Sequence, residues 1–484
     1  MRPAPGRATP SAMHGMETRG LGWWAEARAT LALAWPLALT NLSQHAMAAT
    51  DALILGWFST EALAAGTLGA NLYWLMMAPA LGTGFAAAPV MAQARGMGQR
   101  RGGAGRGWMR ELRRGARSAL VATLILLLPS LLVLWQGESI LRLMGQEPAL
   151  ARDAGAFLRA MMWGLIPFSA FIVLRGFLAA MDRPGPALWV TGAAVVANAP
   201  LCWLLVFGAF GWEGMGVAGA GLASALADLL MLLALLVLIA RDRRLRRFRL
   251  LGRFWRIDWP RLVEVFRIGL PISGQMLMEI GVFSAAALAM GWFGATAVAA
   301  HAIALQVAAL SFMVPMGIGQ AATARVGMMA GRGDAAGAWQ AGWVAIGLGA
   351  GFMLAMATLF MLAARPIAWA FLDAREDGAA AVAALGAGLL TIAGLFQLGD
   401  GVQAVAAGAL RGLKDTKVPM LLAALGYWGI GMPVGVGLAV AAKMGPAGLW
   451  LGLAAGVSLV AGMLLLRWRR LSEASRDRKA LAGA

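Results

Sequence analysis

The stretch ALILGWFSTEALAA at residues 52–65 returns as ALAMGWFGATAVAA at residues 287–300, at an offset of 235 residues. The same offset places Pro36 on Pro271, and the correspondence runs without a gap for about sixty positions. Small residues repeat as well: Gly82, Gly84, Ala86, Ala87, Gly96 and Gly98 fall on Gly317, Gly319, Ala321, Ala322, Gly331 and Gly333. A chain that contains one apolar bundle twice has the usual layout of a secondary transporter, with a site where the halves meet.

The composition is that of a membrane-embedded chain. Of the 484 residues, 60% are hydrophobic and 13% are charged, and apolar segments long enough to cross a bilayer as helices recur along the sequence. The single cysteine, Cys202, excludes an intrachain disulfide. The pattern predicts an all-α membrane protein with twelve transmembrane helices, at residues 31–57, 68–92, 117–136, 156–180, 187–210, 215–240, 265–292, 298–324, 338–364, 381–410, 418–441 and 445–468.

Positive charge is distributed unevenly between the two sides of this arrangement. The net charge of +18 could suggest a nucleic-acid partner, but 35 of the 41 Lys and Arg residues fall on one side of the twelve spans. The positive-inside rule then places both termini in the cytoplasm. The densest basic runs, 95–117 and 241–267, are typical of segments beside anionic lipid headgroups. We therefore expect membrane lipid, and no nucleic acid, as a partner.

Each half has six spans, an even number, so both halves enter the membrane from the same side. The two six-helix repeats are therefore parallel, related by an axis along the membrane normal. Pro36 and Pro271, near the starts of spans 1 and 7, either bend their helices or simply begin them. We expect a disordered cytoplasmic tail at 1–27, an N-lobe at 28–240, a basic cytoplasmic linker at 241–264, a C-lobe at 265–468 and a cytoplasmic tail at 469–484.

Ionisable residues inside a span are costly to bury and therefore indicate function. Asp51 in span 1, Glu279 in span 7 and Asp400 in span 10 are the main candidates, and Asp228 in span 6 is a fourth. None of the four has a basic residue within one helical turn on its own helix. Pairing with an arginine or lysine of the same span is therefore not expected.

The acids are not duplicated with the fold. The repeat places Gln44 opposite Glu279, and it places Ala286 opposite Asp51. The frame is thus symmetric while its chemistry is not. We expect ion coupling to be centred in the C-lobe, with Asp51 acting as a separate, non-equivalent switch.

Buried carboxylates allow three kinds of chemistry. Each can take up a proton, because burial disfavours the charged form. Carboxylates and amide oxygens can together hold a dehydrated Na⁺. A carboxylate can also pair directly with a cationic substrate. The uncharged side chains available to support the acids are Asn41, Gln44, Asn198, Gln275, Gln397 and Gln403.

Motifs for other energy sources and cofactors are missing from the sequence. A P-loop needs Gly-Lys followed by Ser or Thr, and no lysine here follows a glycine. No zinc signature is present either. We therefore expect no enzymatic activity and no cofactor, with Na⁺ or H⁺ as the coupling ion. His45 and His301 could relay protons, although a satisfied interior histidine is the commoner case.

Tryptophan and methionine are abundant, at 20 and 29 residues. Most should anchor helices at the membrane interface or fill the interior. Those that face a cavity between the lobes would suit flat aromatic cations, through cation–π contacts and adaptable thioethers. Trp74, Trp292 and Met276 are candidates for that role.

Several segments resemble the multidrug and toxic compound extrusion (MATE) family, in particular its bacterial NorM-like branch, over residues 30–465. One is Trp35-Pro36-Leu37 with Asp51 and the stretch 56–65; its counterpart is Gly269-Leu270-Pro271 with Glu279. A third is Phe396-Gln397-Leu398-Gly399-Asp400. The most specific is AGALRGLKDT at 407–416, continued by YWGIGMP at 427–433.

The resemblance implies two six-helix lobes arranged in a V and cation-coupled export of small organic cations by alternating access. It places the family's membrane acids at Asp51, Glu279 and Asp400, with cation binding at the two C-lobe acids. Some Na⁺-driven members carry a tyrosine four residues before the span-10 acid, where this chain has Phe396. The choice between Na⁺ and H⁺ therefore stays open. A monomer in the bacterial inner membrane is expected.

Two other functions compete with export of organic cations. A lipid-linked precursor or polysaccharide flippase of the same superfamily should have a basic central cavity, whereas acids dominate at mid-span in this chain and arginines at mid-span are nearly absent. A membrane receptor or scaffold would have no need for isolated carboxylates at mid-depth. Such a protein also usually carries a soluble module, for which little chain remains here.

Overall fold

A computed structural model describes residues 22–100, 102, 107–209, 211–250, 252, 257–373, 375 and 377–483, with side chains to residue 477. These residues form a helical bundle. Its twelve long segments are α1 Trp23–Phe58, α2 Thr60–Arg100, α3 Gly107–Trp135, α4 Pro148–Ala180, α5 Gly185–Phe207, α6 Val217–Arg241, α7 Trp259–Phe293, α8 Ala295–Arg332, α9 Ala335–Leu362, α10 Ala379–Gly412, α11 Lys417–Ala441 and α12 Gly445–Gly483.

Eleven of these segments, counted over the described residues, are long and apolar enough to cross a membrane. The segment that falls short is α1, because its second half carries polar residues such as Asn41, Gln44 and Asp51. Three short helices lie between the long ones: Gly137–Leu143, Arg243–Arg246 and Ala364–Trp369. In α11, two π-helical stretches, Leu425–Gly431 and Gly437–Ala441, flank Met432–Val436.

Several helices extend beyond the expected spans, and packing or capping explains the early starts of the first and the seventh. The first helix begins at Trp23, so residues 23–27 do not belong to a disordered tail, while residues 1–21 lie outside the described residues. Packing explains the early start, because the Trp23 ring meets Trp339 edge-on at 5.6 Å and the Glu26 side chain is buried. Similarly, α7 begins at Trp259 rather than 265, where the Asp258 carboxylate caps the helix by accepting from the Arg261 amide.

The lobes α1–α6 and α7–α12 meet along α1 and α2 on one side and α7 and α8 on the other. The repeated glycines form much of this contact. A Cβ on Gly82 would lie 2.2 Å from the Ser273 hydroxyl, and one on Gly317 would lie 2.6 Å from the Ala38 amide nitrogen. Since the offset of 235 places Ala38 on Ser273, the two contacts are equivalent under the repeat.

The same series continues toward the end of the bundle where α2 and α8 finish, which we call the closed end. A Cβ on Gly96 would lie 2.0 Å from the Met328 carbonyl, and one on Gly331 would lie 2.1 Å from the Gln93 carbonyl. At the opposite end, which we call the open end, α1 turns into α2 and α7 turns into α8. The predicted V-shaped pair of six-helix lobes is thus observed, joined toward the closed end.

Candidate functional site

Asp51 lies in the N-lobe and is held by two neighbouring helices. Its carboxylate accepts hydrogen bonds from the Asn198 amide of α5 and the Ser224 hydroxyl of α6, each at 2.6 Å. The thiol of Cys202, one turn after Asn198, also points to this carboxylate. Only 8% of Asp51 is exposed. The structure therefore brings together Asp51 and Asn198, both predicted from the sequence, and adds Ser224.

Asp228 lies one helical turn beyond Ser224 on α6 and is also buried. It is close enough to Asp51 for the two carboxyl groups to interact electrostatically. Its carboxylate packs against Gly164 in α4: a Cβ added to Gly164 would lie 2.8 Å from Asp228 Oδ2. From the sequence alone, Asp228 is the weakest of the four acidic candidates. Its spacing of four residues from Ser224 puts both side chains on one helix face, and this spacing is the signal that could have made it a stronger candidate.

A cavity of about 520 Å³, the N-lobe cavity, lies beside the two aspartates in the open-end half of the bundle. Its wall is largely apolar and includes an aromatic cluster, in which Trp74 is edge-on to Tyr73 and to Phe168 at centroid distances of 5.9 Å. The C-lobe reaches it through Gln306, whose amide nitrogen is 3.0 Å from His45 Nε2. The remaining lining includes Gln44, Met47, Asp51, Leu55, Phe157, Met161, Ser224 and Asp228.

Of the aromatic and methionine candidates, only Trp74 lines this cavity. Trp292 is 66% exposed on the outside of the bundle. Met276 packs against the apolar interior of the N-lobe. His301 is buried inside the C-lobe, where Trp450 donates to its Nδ1 at 3.1 Å and its Nε2 has no hydrogen-bond partner among the described residues.

Glu279 on α7 and Asp400 on α10 form a second acidic site inside the C-lobe. The two carboxyl groups interact with each other, and both influence the buried Tyr427 of α11. Neither carboxylate makes a hydrogen bond or salt bridge within the described part of the chain. A pair of carboxylates with unused oxygens is the chemistry that can hold a proton or a monovalent cation.

Apart from Asn198, the predicted supporting residues bond either to hydroxyl groups inside the C-lobe or to an arginine. Gln403 donates to the Tyr427 hydroxyl and Gln397 to the Ser311 hydroxyl, so both belong to the polar interior of the C-lobe. Gln275 accepts from Arg411 at 3.4 Å. Among the described residues, neither Asn41 nor Gln44 forms a hydrogen bond with an acid.

Asn41 and Gln44 instead bind an arginine. Arg175 Nη1 donates to Asn41 Oδ1 at 2.9 Å and to Gln44 Oε1 at 3.5 Å. Arg175 is only 3% exposed, and its repeat counterpart Arg411 interacts with Glu279. Arg175 falls inside the predicted span 156–180 and Arg411 directly after the predicted span 381–410. Neither lies at mid-span, so the expectation that arginines are nearly absent there is unchanged.

Pro36 and Pro271 both lie inside helices, so neither begins one. Pro36 is buried, and its carbonyl accepts a hydrogen bond from the Thr40 hydroxyl at 2.7 Å. Both helices continue through the proline despite the lost backbone donor. A bend that contributes to the transport cycle stays a prediction.

Two repeated lobes, an acidic site in each and an aromatic cavity define a multi-pass membrane protein of the secondary-transporter class. The sequence model of the MatE family matches residues 36–204 and matches again at 271–436, once in each lobe. The chain therefore belongs to the MatE family, the multidrug and toxic compound extrusion family of transporters whose motifs it resembles.

Curated relatives cover nearly the whole chain. A probable multidrug resistance protein NorM of Mesorhizobium japonicum is 47% identical over 448 residues, spanning 93% of this chain and 94% of the relative. A protein of the same name from Brucella suis is 44% identical over 448 residues, with coverage of 93% and 94%. The family's relatives are transporters and not enzymes.

Solved structures share the fold at low sequence identity. The eukaryotic MATE transporter AtDTX14 superposes with a TM-score of 0.83 at 20% identity, covering 95% of this chain and 100% of that chain. The MATE transporter VcmN of Vibrio cholerae in its bent form gives 0.77 at 18% identity, covering 94% and 98%. The predicted fold is confirmed. A transporter from Pyrococcus furiosus, at 0.82 and 19% identity over 97% of this chain and 100% of that chain, is described as having a binding pocket of reverse polarity.

Proposed function

We propose that the protein is an antiporter that exports cationic, amphipathic compounds in exchange for Na⁺ or H⁺. The observation that supports this most directly is the N-lobe cavity. Its volume of about 520 Å³ suits a drug-sized molecule, and its wall combines aromatic rings with the carboxylates of Asp51 and Asp228. Aromatic faces and carboxylates both favour a cation that carries apolar groups. The curated relatives named multidrug resistance protein NorM point the same way.

The proposed cycle uses the two acidic sites for different tasks. Glu279 and Asp400 bind the coupling ion, which neutralises the C-lobe and favours release of the exported cation. Asp51 couples the N-lobe by changing its own protonation. One ion that moves down a membrane potential supplies about 2.3 kcal/mol per charge per 100 mV, which is enough to drive modest uphill export. Alternating access follows if the two lobes separate at the closed end while they approach at the open end.

The charge distribution suggests how the protein is oriented. The closed end carries the arginine-rich segments, so the positive-inside rule places it, with both termini, in the cytoplasm. The N-lobe cavity then lies on the outer side of a bacterial inner membrane. We propose that the chain works there as a monomer in contact with anionic lipid, without a cofactor and without nucleic acid.

A lipid-linked precursor flippase is the alternative function. It would need cationic groups in a cavity large enough for a pyrophosphate. Arg175 and Arg411 line a separate cavity of about 30 Å³, whereas the N-lobe cavity is acidic. The polarity of the larger cavity therefore favours a cationic cargo.

Efflux from proteoliposomes tests the proposal. We expect export of a fluorescent organic cation under an imposed Na⁺ gradient or an imposed pH gradient, which also identifies the coupling ion. Glu279→Gln and Asp400→Asn should each abolish this export while the protein still folds in the membrane, because an uncharged amide cannot exchange the ion. Glu147→Gln changes an exposed acid and serves as the matched control. Wild-type efflux from both C-lobe variants would refute the site assignment.

A further inference from the structure

The buried Arg175 and the partly buried Arg411 occupy equivalent positions of the repeat and line one small cavity between the lobes. Leu174-Arg175-Gly176 lies in the last turns of α4, which ends at Ala180, and Leu410-Arg411-Gly412 ends α10. Arg175 and Arg411 both line a cavity of about 30 Å³, together with Gln320 and Thr323 of α8. The proposed cycle uses neither arginine directly.

Several hydrogen-bond donors around these arginines have no acceptor. Arg411 Nε is buried and has no hydrogen-bond partner among the described residues, and the same holds for the Gln320 side-chain nitrogen. On the far side of Arg175, the side-chain nitrogens of Asn41 and Gln44 are also buried without partners. Their amide oxygens accept from Arg175, so each nitrogen must point elsewhere. Because buried polar groups in proteins are nearly always hydrogen-bonded, these donors indicate that an acceptor binds here.

The charge is also incompletely balanced. An arginine guanidinium stays protonated in a protein, so burial cannot neutralise it. Arg175 has only neutral amide partners, and no carboxylate forms a salt bridge with it over the residues that the structure describes. Arg411 is attracted by Glu279, but that residue also interacts with Asp400. Both arginines line the same cavity, so an anion bound there would be attracted by both charges.

We propose that this cavity binds one monatomic halide ion, chloride in the cell, between Arg175 of the N-lobe and Arg411 of the C-lobe. A volume of about 30 Å³ suits a single small occupant better than the larger phosphate or sulfate ions. The Gln320 amide and the Thr323 hydroxyl lie in the same lining. Thr323 already donates to the Gly319 and Gly408 carbonyls, so Gln320 supplies the additional donor.

The position of the site gives the anion a mechanical role. One ligand comes from each lobe, so the complete site exists only while the lobes are in contact there. An occupant that binds one conformation and not the other shifts the population toward the first. Chloride therefore stabilises the arrangement with the closed end shut. This consequence for transport rests on the proposed function, whereas binding itself does not.

Binding can be measured on the purified protein in detergent without any transport assay. At constant Na⁺ and ionic strength, replacing gluconate by chloride or bromide should raise the thermal unfolding midpoint in a saturable manner, and sulfate should not. Arg411→Gln and Gln320→Met should each weaken the halide response about tenfold or more, as the loss of one charge-assisted or buried hydrogen bond implies. Gln320→Met keeps both charges, so it covers the case in which Arg411→Gln fails to fold.

Arg95→Gln is the matched control, because Arg95 also lies near the closed end but is already paired with Asp182 at 2.6 Å. It should keep the full halide response. Crystals soaked in bromide should show anomalous density between Arg175 and Arg411. Equal midpoints in chloride and gluconate, unchanged responses in Arg411→Gln and Gln320→Met, or bromide density only elsewhere would each overturn the site. Ion-driven efflux that fails while halide binding persists would instead count against the proposed function alone.

Discussion

Asp51 and the C-lobe acids differ in how much of their hydrogen-bonding capacity the protein itself uses. Asp51 accepts from Asn198 and Ser224, whereas Glu279 and Asp400 make no hydrogen bond within the described residues. A carboxylate that is already bonded is held in one orientation. Unbonded carboxylates keep their oxygens available for an ion. The two sites are therefore suited to different tasks, in agreement with the asymmetry of the repeat.

Trp74 should contribute to substrate recognition. We expect Trp74→Ala to raise the KM for a flat aromatic cation by about 3- to 30-fold, because a cation–π contact in a desolvated cavity contributes about 0.5–2 kcal/mol. The exposed Trp292, substituted in the same way, should leave KM unchanged. Concentration dependence of efflux in proteoliposomes measures both. An equal effect of the two substitutions would show that Trp74 acts through general stability.

The sequence predicted single residues best where burial is costly. Asp51, Glu279 and Asp400 were identified because a charge inside a span needs a reason. Asn41 and Gln44 were assigned to the acids, but they bind Arg175. An amide bonds equally well to a cation or an anion, so its type does not reveal its partner. The partner becomes apparent only in the folded structure, where Arg175 of α4 lies beside Asn41 and Gln44 of α1.

At the scale of helices, the repeated glycines proved more informative than the apolar pattern alone. Their spacing was visible in the sequence, but their use at the crossing of α2 and α8 requires coordinates. Hydropathy also misplaced the starts of α1 and α7, because charged residues in the first turns resemble a loop. Glu26, buried in the first turn of α1, is such a residue.

Substitution of a crossing glycine should separate the helices. In Gly331→Ala the new methyl group would lie 2.1 Å from the Gln93 carbonyl, a backbone atom that cannot move aside alone. We expect a loss of about 1–3 kcal/mol in the free energy of unfolding, typical of overpacking. Gly347→Ala is the control, since a Cβ there meets nothing within 4 Å. It should leave the thermal unfolding midpoint unchanged or raise it.

Across the whole molecule, one buried ion pair joins the lobes near the closed end. Arg325 of α8 donates to Glu26 of α1, with Nε 2.9 Å from Oε1, and both residues are buried. Opening that end would expose the pair to water. The pair therefore contributes both to stability and to the balance between conformations.

Removal of one partner should be far worse than removal of both. Glu26→Gln leaves an uncompensated guanidinium and should destabilise the shut arrangement by about 3–5 kcal/mol. The double variant with Arg325→Gln should recover much of that loss.

A cysteine in place of the half-buried Gln93 reports opening of the closed end through its labelling rate, while the native Cys202 is buried. Arg469→Gln breaks an exposed pair with Glu473 and should change nothing measurable. Equal labelling in all backgrounds would contradict the assignment.

The glycine contacts between the lobes have a consequence for the origin of the chain. Gly82 of the N-lobe contacts Ser273 of the C-lobe, and their repeat counterparts Gly317 and Ala38 make the same contact in the opposite direction. Reciprocal contacts of this kind are what two identical subunits make about a two-fold axis. The protein thus carries a homodimer interface within one polypeptide. Its halves, produced as separate chains, should assemble as subunits do, and co-purification of the two from one membrane would show it.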